Sequence, residues 1–174
     1  MNKILDLKMK NIILLTGFLF TNLMFAQVGI SKETIDGAGI LDFAANTTNG
    51  IMLPIVETLP NDAVAGTILM DKNDKIIKMK ESFMWVALSD AGSINNVIFN
   101  TNAEVPGPNR VIIGNPTTTV PGVLVLESPD KALILPKIAD PHINVKSPYP
   151  GMMCYDTVSK TMAVFDGLKW SYWK

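Results

Sequence analysis

Twenty residues, Gly151 to Trp170, recur in diverged form 85 positions earlier, and this duplication limits the folds open to the chain more than any other feature. Gly66, Asp71, Lys75 and Trp85 stand in the first copy where Gly151, Asp156, Lys160 and Trp170 stand in the second. The repeat extends upstream. Val28-Gly29-Ile30 matches Val111-Ile112-Ile113 at an offset of 83, which also carries Gly39 onto Gly122 and Leu41 onto Leu124. At an offset of 82, Gly50 to Val56 matches Ala132 to Ile138. The next loop has nine residues in the first copy (Glu57 to Ala65) and twelve in the second (Ala139 to Pro150). Length changes confined to such segments are what surface loops tolerate.

Apolar runs of four to six residues, bounded by Gly, Pro, Asn and Asp, predict short strands rather than helices. Ile40 to Ala44 and Val123 to Leu126 fit, as do Ile51 to Leu53 and Leu133 to Leu135, each ended by a proline that lacks a ladder donor. Gly66 to Met70 and Gly151 to Tyr155 run into polar turns and return through Ile76 to Lys80 and Thr161 to Phe165. Asp166-Gly167 is a two-residue hairpin signal, and the last strands are Phe83 to Leu88 and Leu168 to Trp173. Each copy therefore ends in a three-stranded antiparallel meander. Ser89 to Arg110 has no counterpart and reads as a connector, with one more strand at Asn96 to Asn100 and a turn at Pro106 to Asn109.

Residues 1–26 differ in kind from the rest. Lys3, Lys8 and Lys10 precede an apolar run from Ile12, and Ala26 ends a short exit, the pattern of a signal peptide cleaved before Gln27. An uncleaved anchor is the alternative, but the apolar run falls short of the ~20 residues that span a bilayer. Cleavage would remove three lysines and Asp6, leaving 12 basic and 15 acidic residues of the original 15 and 16. No charge run exists to suit nucleic acid or anionic lipid. The single cysteine, Cys154, has no internal disulfide partner and lies far from the site a lipid anchor would use. No sorting domain or wall anchor is expected after Trp173-Lys174, so periplasm, cell surface and medium all stay open.

These residues resemble the short repeats of exported Gram-negative proteins, of the pattern V-G-I-G, A-x-L-D-I, G-x-L-x-P-R, G-x-x-x-Y-D and Y-x-G-x-x-W. Val28-Gly29-Ile30, Gly39 to Phe43, Gly50 to Pro54, Gly66 to Asp71 and Trp85 carry it in the first copy. Val111 to Gly114, Leu133 to Lys137, Gly151 to Asp156, Phe165-Asp166-Gly167 and Trp170 carry it in the second. The first copy departs with Lys80-Glu81-Ser82 in place of aromatic-x-Gly. Such repeats are similar to those of cell-surface fibre, adhesin and phage-tail-fibre proteins, which implies a structural envelope role and, by analogy with fibres, a trimer.

Candidate chemistry is sparse. Cys154 and His142 form the only cysteine-histidine pair, but Leu69 is the counterpart of Cys154, which therefore reads as a core position. Asp71, Asn73 and Asp74 could suggest calcium, yet the second copy keeps only Asp156, with Val158 and Ser159 at the other two places. A turn-forming aspartate explains that recurrence better. Trp85 and Trp170 read as anchors of each copy's small core. Tyr172 and Trp173 have the stronger claim to bind, and alternation puts Trp173 on the face opposite Trp170. No catalytic site, metal or cofactor is expected.

The expectation is thus an all-β protein: signal peptide 1–26, β-repeat module 27–90, connector 91–110 and β-repeat module 111–174, each module built of short antiparallel strands and hairpins. Its expected role is that of an exported, non-enzymatic structural or adhesion-type protein that self-associates. The alternative is a small carbohydrate- or protein-binding module acting through Tyr172 and Trp173. Modules of about 60 residues are marginal alone, so they must pack on each other or on other chains.

Overall fold

A computed structural model describes residues 27–99, 110–120 and 122–174. The signal-peptide reading and the Pro106 to Asn109 turn lie outside the described residues, as do residues 100–109 of the connector. The first copy contributes β1 (Val28–Ile30), β2 (Gly39–Phe43), β3 (Ile51–Met52), β4 (Ile55–Val56), β5 (Ile68–Asp71), β6 (Ile77–Lys80) and β7 (Trp85–Ala87). The second contributes β8 (Val111–Ile113), β9 (Leu124–Leu126), β10 (Ala132–Leu133), β11 (Lys137–Ile138), the single-turn helix α1 (Pro141–Asn144), β12 (Met152–Asp156), β13 (Thr161–Phe165) and β14 (Trp170–Trp173).

The repeat is legible in the backbone. The meanders β5-β6-β7 and β12-β13-β14 are antiparallel, with Met70 opposite Ile77 and Tyr155 opposite Met162. Gly66 and Gly151 enter them at φ 89° and 85°, and the turns pass through left-handed Lys75 (64°) and Lys160 (58°). In both turns the aspartate accepts a hydrogen bond from the backbone two residues on, Asp71 from Asn73 at 2.9 Å and Asp156 from Val158 at 3.0 Å. The Asp side chain thus shapes the turn in each copy.

Four local expectations need correction. Strands β3 and β10 end before the prolines as expected, but pairing resumes beyond them. Pro54 and Pro136 have no N–H, but each carbonyl accepts a ladder bond, from Met70 and Tyr155 at 2.9 Å. The chain continues as β4 and β11, which run parallel to β5 and β12, so the sheets are mixed. Asp166-Gly167 sits in a four-residue loop between Phe165 and Trp170, because the Asp166 carboxylate binds the N–H groups of both Leu168 and Lys169. Residues 96–99 form no strand; the first two belong to a turn closed by Val97 N–H on the Ile94 carbonyl (3.0 Å). The longer second loop holds α1, which Pro141 starts with its φ already near helical.

The two copies are also not discrete. The first copy's β3 lies antiparallel to β12, with Ile51 opposite Met153, and Leu53 N–H donates to the Gly151 carbonyl at 2.9 Å. In return β10 lies parallel to β2, with Ala132 and Ile134 donating to Ala38 (2.9 Å) and Leu41 (3.0 Å). The core crosses the same boundary: Met70, Ile77 and Leu88 pack with Met153 and Val164. Burying each such side chain contributes roughly 1.5–3 kcal/mol, a gain neither copy makes alone. The result is a repeated, almost entirely β-stranded solenoid architecture.

The start of the connector straps the copies together. Gly92 N–H donates to Lys75 (2.9 Å) and Ser93 N–H to Asp166 (2.8 Å). A Cβ built on Gly92 would collide with the Asp166 carbonyl. Gly92→Ala should therefore cost about 1–3 kcal/mol, seen as a lower urea midpoint; an unchanged midpoint would show that the strap does not hold the copies.

Candidate binding groove

Loop 139–150, the β12–β13 turn and one face of β14 enclose an open groove of about 470 Å³, walled by Asp140, His142, Asp156, Val158, Ser159, Trp170 and Tyr172. Each wall has a local cause. Asp140 turns the chain through a left-handed conformation (φ 43°) and donates its N–H to the Asp156 carboxylate at 3.0 Å, which fixes the start of α1. Helix α1 brings His142 to the rim, where its Nδ1 lies 3.2 Å from the Tyr172 hydroxyl and the two rings meet edge to face. Alternation along β14 points Trp170 and Tyr172 to one face. Trp170 packs against Phe165, with ring centres 5.4 Å apart.

Asp156 is the buried hub. Its carboxylate accepts from Asp140 N–H, from Val158 N–H and from the Ser159 hydroxyl (2.6 Å), and Ser159 in turn lies 2.6 Å from the Thr161 hydroxyl. Burial opposes its ionisation, but the bonds from Ser159, Val158 and Asp140 outweigh burial and hold the carboxyl below the ordinary carboxylate value. The Tyr172 phenol is pushed up, first by burial and then by the negative charges of Asp156 and Asp140. It stays a neutral hydroxyl that can donate or accept. Two aromatic faces beside carboxylate, imidazole and hydroxyl groups make a surface able to stack on a ring and bond its polar substituents.

The first copy has the same frame with other side chains. Ala87 stands where Tyr172 does, and its loop is three residues shorter. Asp71 is engaged by Lys78 at 2.7 Å, and the same ammonium also pairs with Asp74. The oxygens weighed for calcium thus hold a lysine, and among the described residues no three His, Cys, Asp or Glu side chains gather as a metal site would require.

The other singled-out residues fall as follows. Trp85 is half-buried beneath Lys80, whose ammonium lies 5.6 Å from the ring centre. Trp173 does not line the groove. It faces the first copy, and its indole N–H donates to the carbonyl of Leu88, its own repeat counterpart, at 2.6 Å. Cys154 is fully buried among Ile138, Met152 and Ala163. Burial and then the Asp156 charge push its thiol up to about 12, so it is protonated and inert at neutral pH. Sequence reasoning missed Asp140 and Ser159. The extra loop length and the Val158-Ser159 divergence were visible, but nothing local showed that both would converge on Asp156.

Comparison with protein-family models, curated proteins and solved structures finds no match.

A depressed carboxylate stabilises the fold fully above its unfolded pKa, and that stability is lost as pH falls through the folded value. Asp42, Asp71 and Asp156 all lie below the ordinary 3.8. The melting temperature should fall as pH drops below about 4, and Asp156→Asn should lower it at pH 7 while flattening the acid decline. An Asp156→Asn chain that declines as steeply as wild type would remove Asp156 from this role.

Proposed function

We propose that this chain is an exported, non-enzymatic structural or adhesion-type protein of the cell envelope or surface, related to tandem β-repeat fibre proteins. The observation that carries the reading is the exchange of strands between copies, β3 into the sheet of β12 and β10 into the sheet of β2. A chain whose repeats complete one another's sheets is built as a scaffold, since each added repeat extends one continuous ladder. Export rests on the Lys-led apolar segment before Gln27. Among the described residues no helix is long and apolar enough to cross a membrane. Self-association, as a trimer by analogy with fibres, belongs to the same proposal.

Expression of the full chain in a Gram-negative bacterium, followed by fractionation and intact-mass measurement, tests it. The expected product begins at Gln27 and is recovered from the envelope or medium. An intact chain confined to the cytoplasm would overturn the reading.

A second reading has its own support in the groove: a small carbohydrate- or protein-binding module acting through Trp170 and Tyr172. Tyr172 is the residue to probe, because Trp173 holds Leu88 and its loss would perturb the fold. On this reading, Tyr172→Ala abolishes binding on a glycan array while the melting temperature holds; an array that wild type leaves blank would count against glycans as the ligand.

A further inference from the structure

Each copy's β3-like segment has two hydrogen-bonding edges, and the two copies use opposite ones. In the first copy Leu53 N–H faces β12, so by strand alternation Ile51 faces it too and Met52 points its N–H away. In the second copy Ala132 and Ile134 N–H face β2, which leaves Leu133 and Leu135 pointing away. Met52 is the repeat counterpart of Ile134, and Leu135 that of Leu53. Among the described residues, each segment therefore keeps free the very edge that its counterpart has engaged.

The receiving slots are unequal in the matching way. Strand β2 holds β10 on its outer edge, whereas its counterpart β9 pairs only with β8 among the described residues. Leu41 is 3 % exposed in the filled slot, and its counterpart Leu124 is 42 % exposed in the open one. Ile134 packs over Gly39, while no side chain from beyond its own strand crowds Gly122. The slot on β12 behaves likewise. Gly151 is buried, with the Leu53 carbonyl 3.3 Å from where its Cβ would stand, but Gly66 is exposed with nothing within 4 Å.

We propose that copies of this chain add head to tail by repeating the step that joins its own two halves. β3 of one copy pairs through Met52 with the open edge of β9 in its neighbour, and β10 of that neighbour pairs through Leu135 with Gly66 beside β5 of the first. The occupant of each open slot is thus a second copy of the chain, because the segment that fills the equivalent slot internally carries the required edge unpaired. The apolar side chains at this junction, Met52 (45 % exposed), Leu124 (42 %) and Leu133 (37 %), suit burial better than the polar outer face of a terminal cap. The contact is heterologous, so it generates a ring or an open filament rather than a two-fold dimer. This deepens the scaffold reading and rests on it only for the setting; the pairing itself stands on strand edges and on the exposure of the side chains beside them.

Sedimentation of the full chain as recovered from expressing cells, across a concentration series, is the test. Wild type should form species larger than a dimer. Met52→Pro, which removes the N–H directed away from β12 together with the exposed Met52 side chain, and Leu124→Lys, which charges the open edge of β9, should each leave a folded monomer, Leu124→Lys with the wild-type melting temperature. Should Met52→Pro fail to fold, Leu124→Lys decides. Register is checked by joining Leu133→Cys of one copy to Ile68→Cys of the next with a short bismaleimide; the double variant should give a ladder of covalent multimers and the single variants none. A wild-type monomer at every concentration overturns the inference, as does assembly that survives both substitutions or a double variant without a ladder. The scaffold reading fails separately: an envelope-located monomer would sink head-to-tail pairing alone, and a cytoplasmic polymer would sink export alone.

Discussion

The hydrogen bond from Leu53 N–H to the Gly151 carbonyl joins two halves that cannot finish their sheets separately. Strands of two to five residues offer few ladder bonds each, and an unpaired buried backbone group costs about as much as a lost hydrogen bond. The chain meets this demand by lending strands across the repeat boundary. The core follows, because once β3 lies on β12 the side chains of Met70 and Ile77 have Met153 and Val164 to pack against. The strap through Gly92 and Ser93 and the indole bond from Trp173 to Leu88 secure the same boundary at other points.

Within that frame the copies have diverged by exchanging whole sets of interactions. In the first copy the buried Asp42 is met by Lys32 at 2.7 Å; the second places Val125 and Asn115 at those positions. Removing both partners together leaves no buried charge unpaired, which is the inexpensive way to lose an ion pair. The turn aspartates show the same logic. Asp71 is answered by Lys78, and Asp156 by Ser159 with Ala163 at the lysine's place. Where the first copy has an ammonium the second has a small hydroxyl, and its loop, three residues longer, carries His142 to the space walled by Trp170 and Tyr172.

The elements legible in the sequence were those fixed by neighbours along the chain. Strand runs with their bounding turns, the entry glycines Gly66 and Gly151 and the aspartate turns recur at fixed offsets, and the structure has them in both copies. What stayed hidden depended on partners far away. Nothing in Ile51-Met52-Leu53 says whether that edge seeks its own copy or the other. The two-residue strands after Pro54 and Pro136 lack enough length for a pattern, and their pairing runs through the carbonyls of Pro54 and Val56 and of Pro136 and Ile138, which a proline does not remove. The groove was half visible: Tyr172 stood out by type, whereas Trp173, equally conspicuous, is spent on an internal contact.

The burial of Cys154 sets how the chain meets oxidants. Its sulfur lies on the middle of β12, between β13 and the edge that β3 and β11 complete, and its proton is held by the surrounding apolar atoms. A reagent reaches it only when the side chains packed over that face, Val145, Phe165 and Trp170 among them, move aside, so its rate of alkylation measures how often the second copy's own core opens. The one cysteine is thereby a built-in clock for the breathing of the second copy's core, separate from the core that joins the repeats.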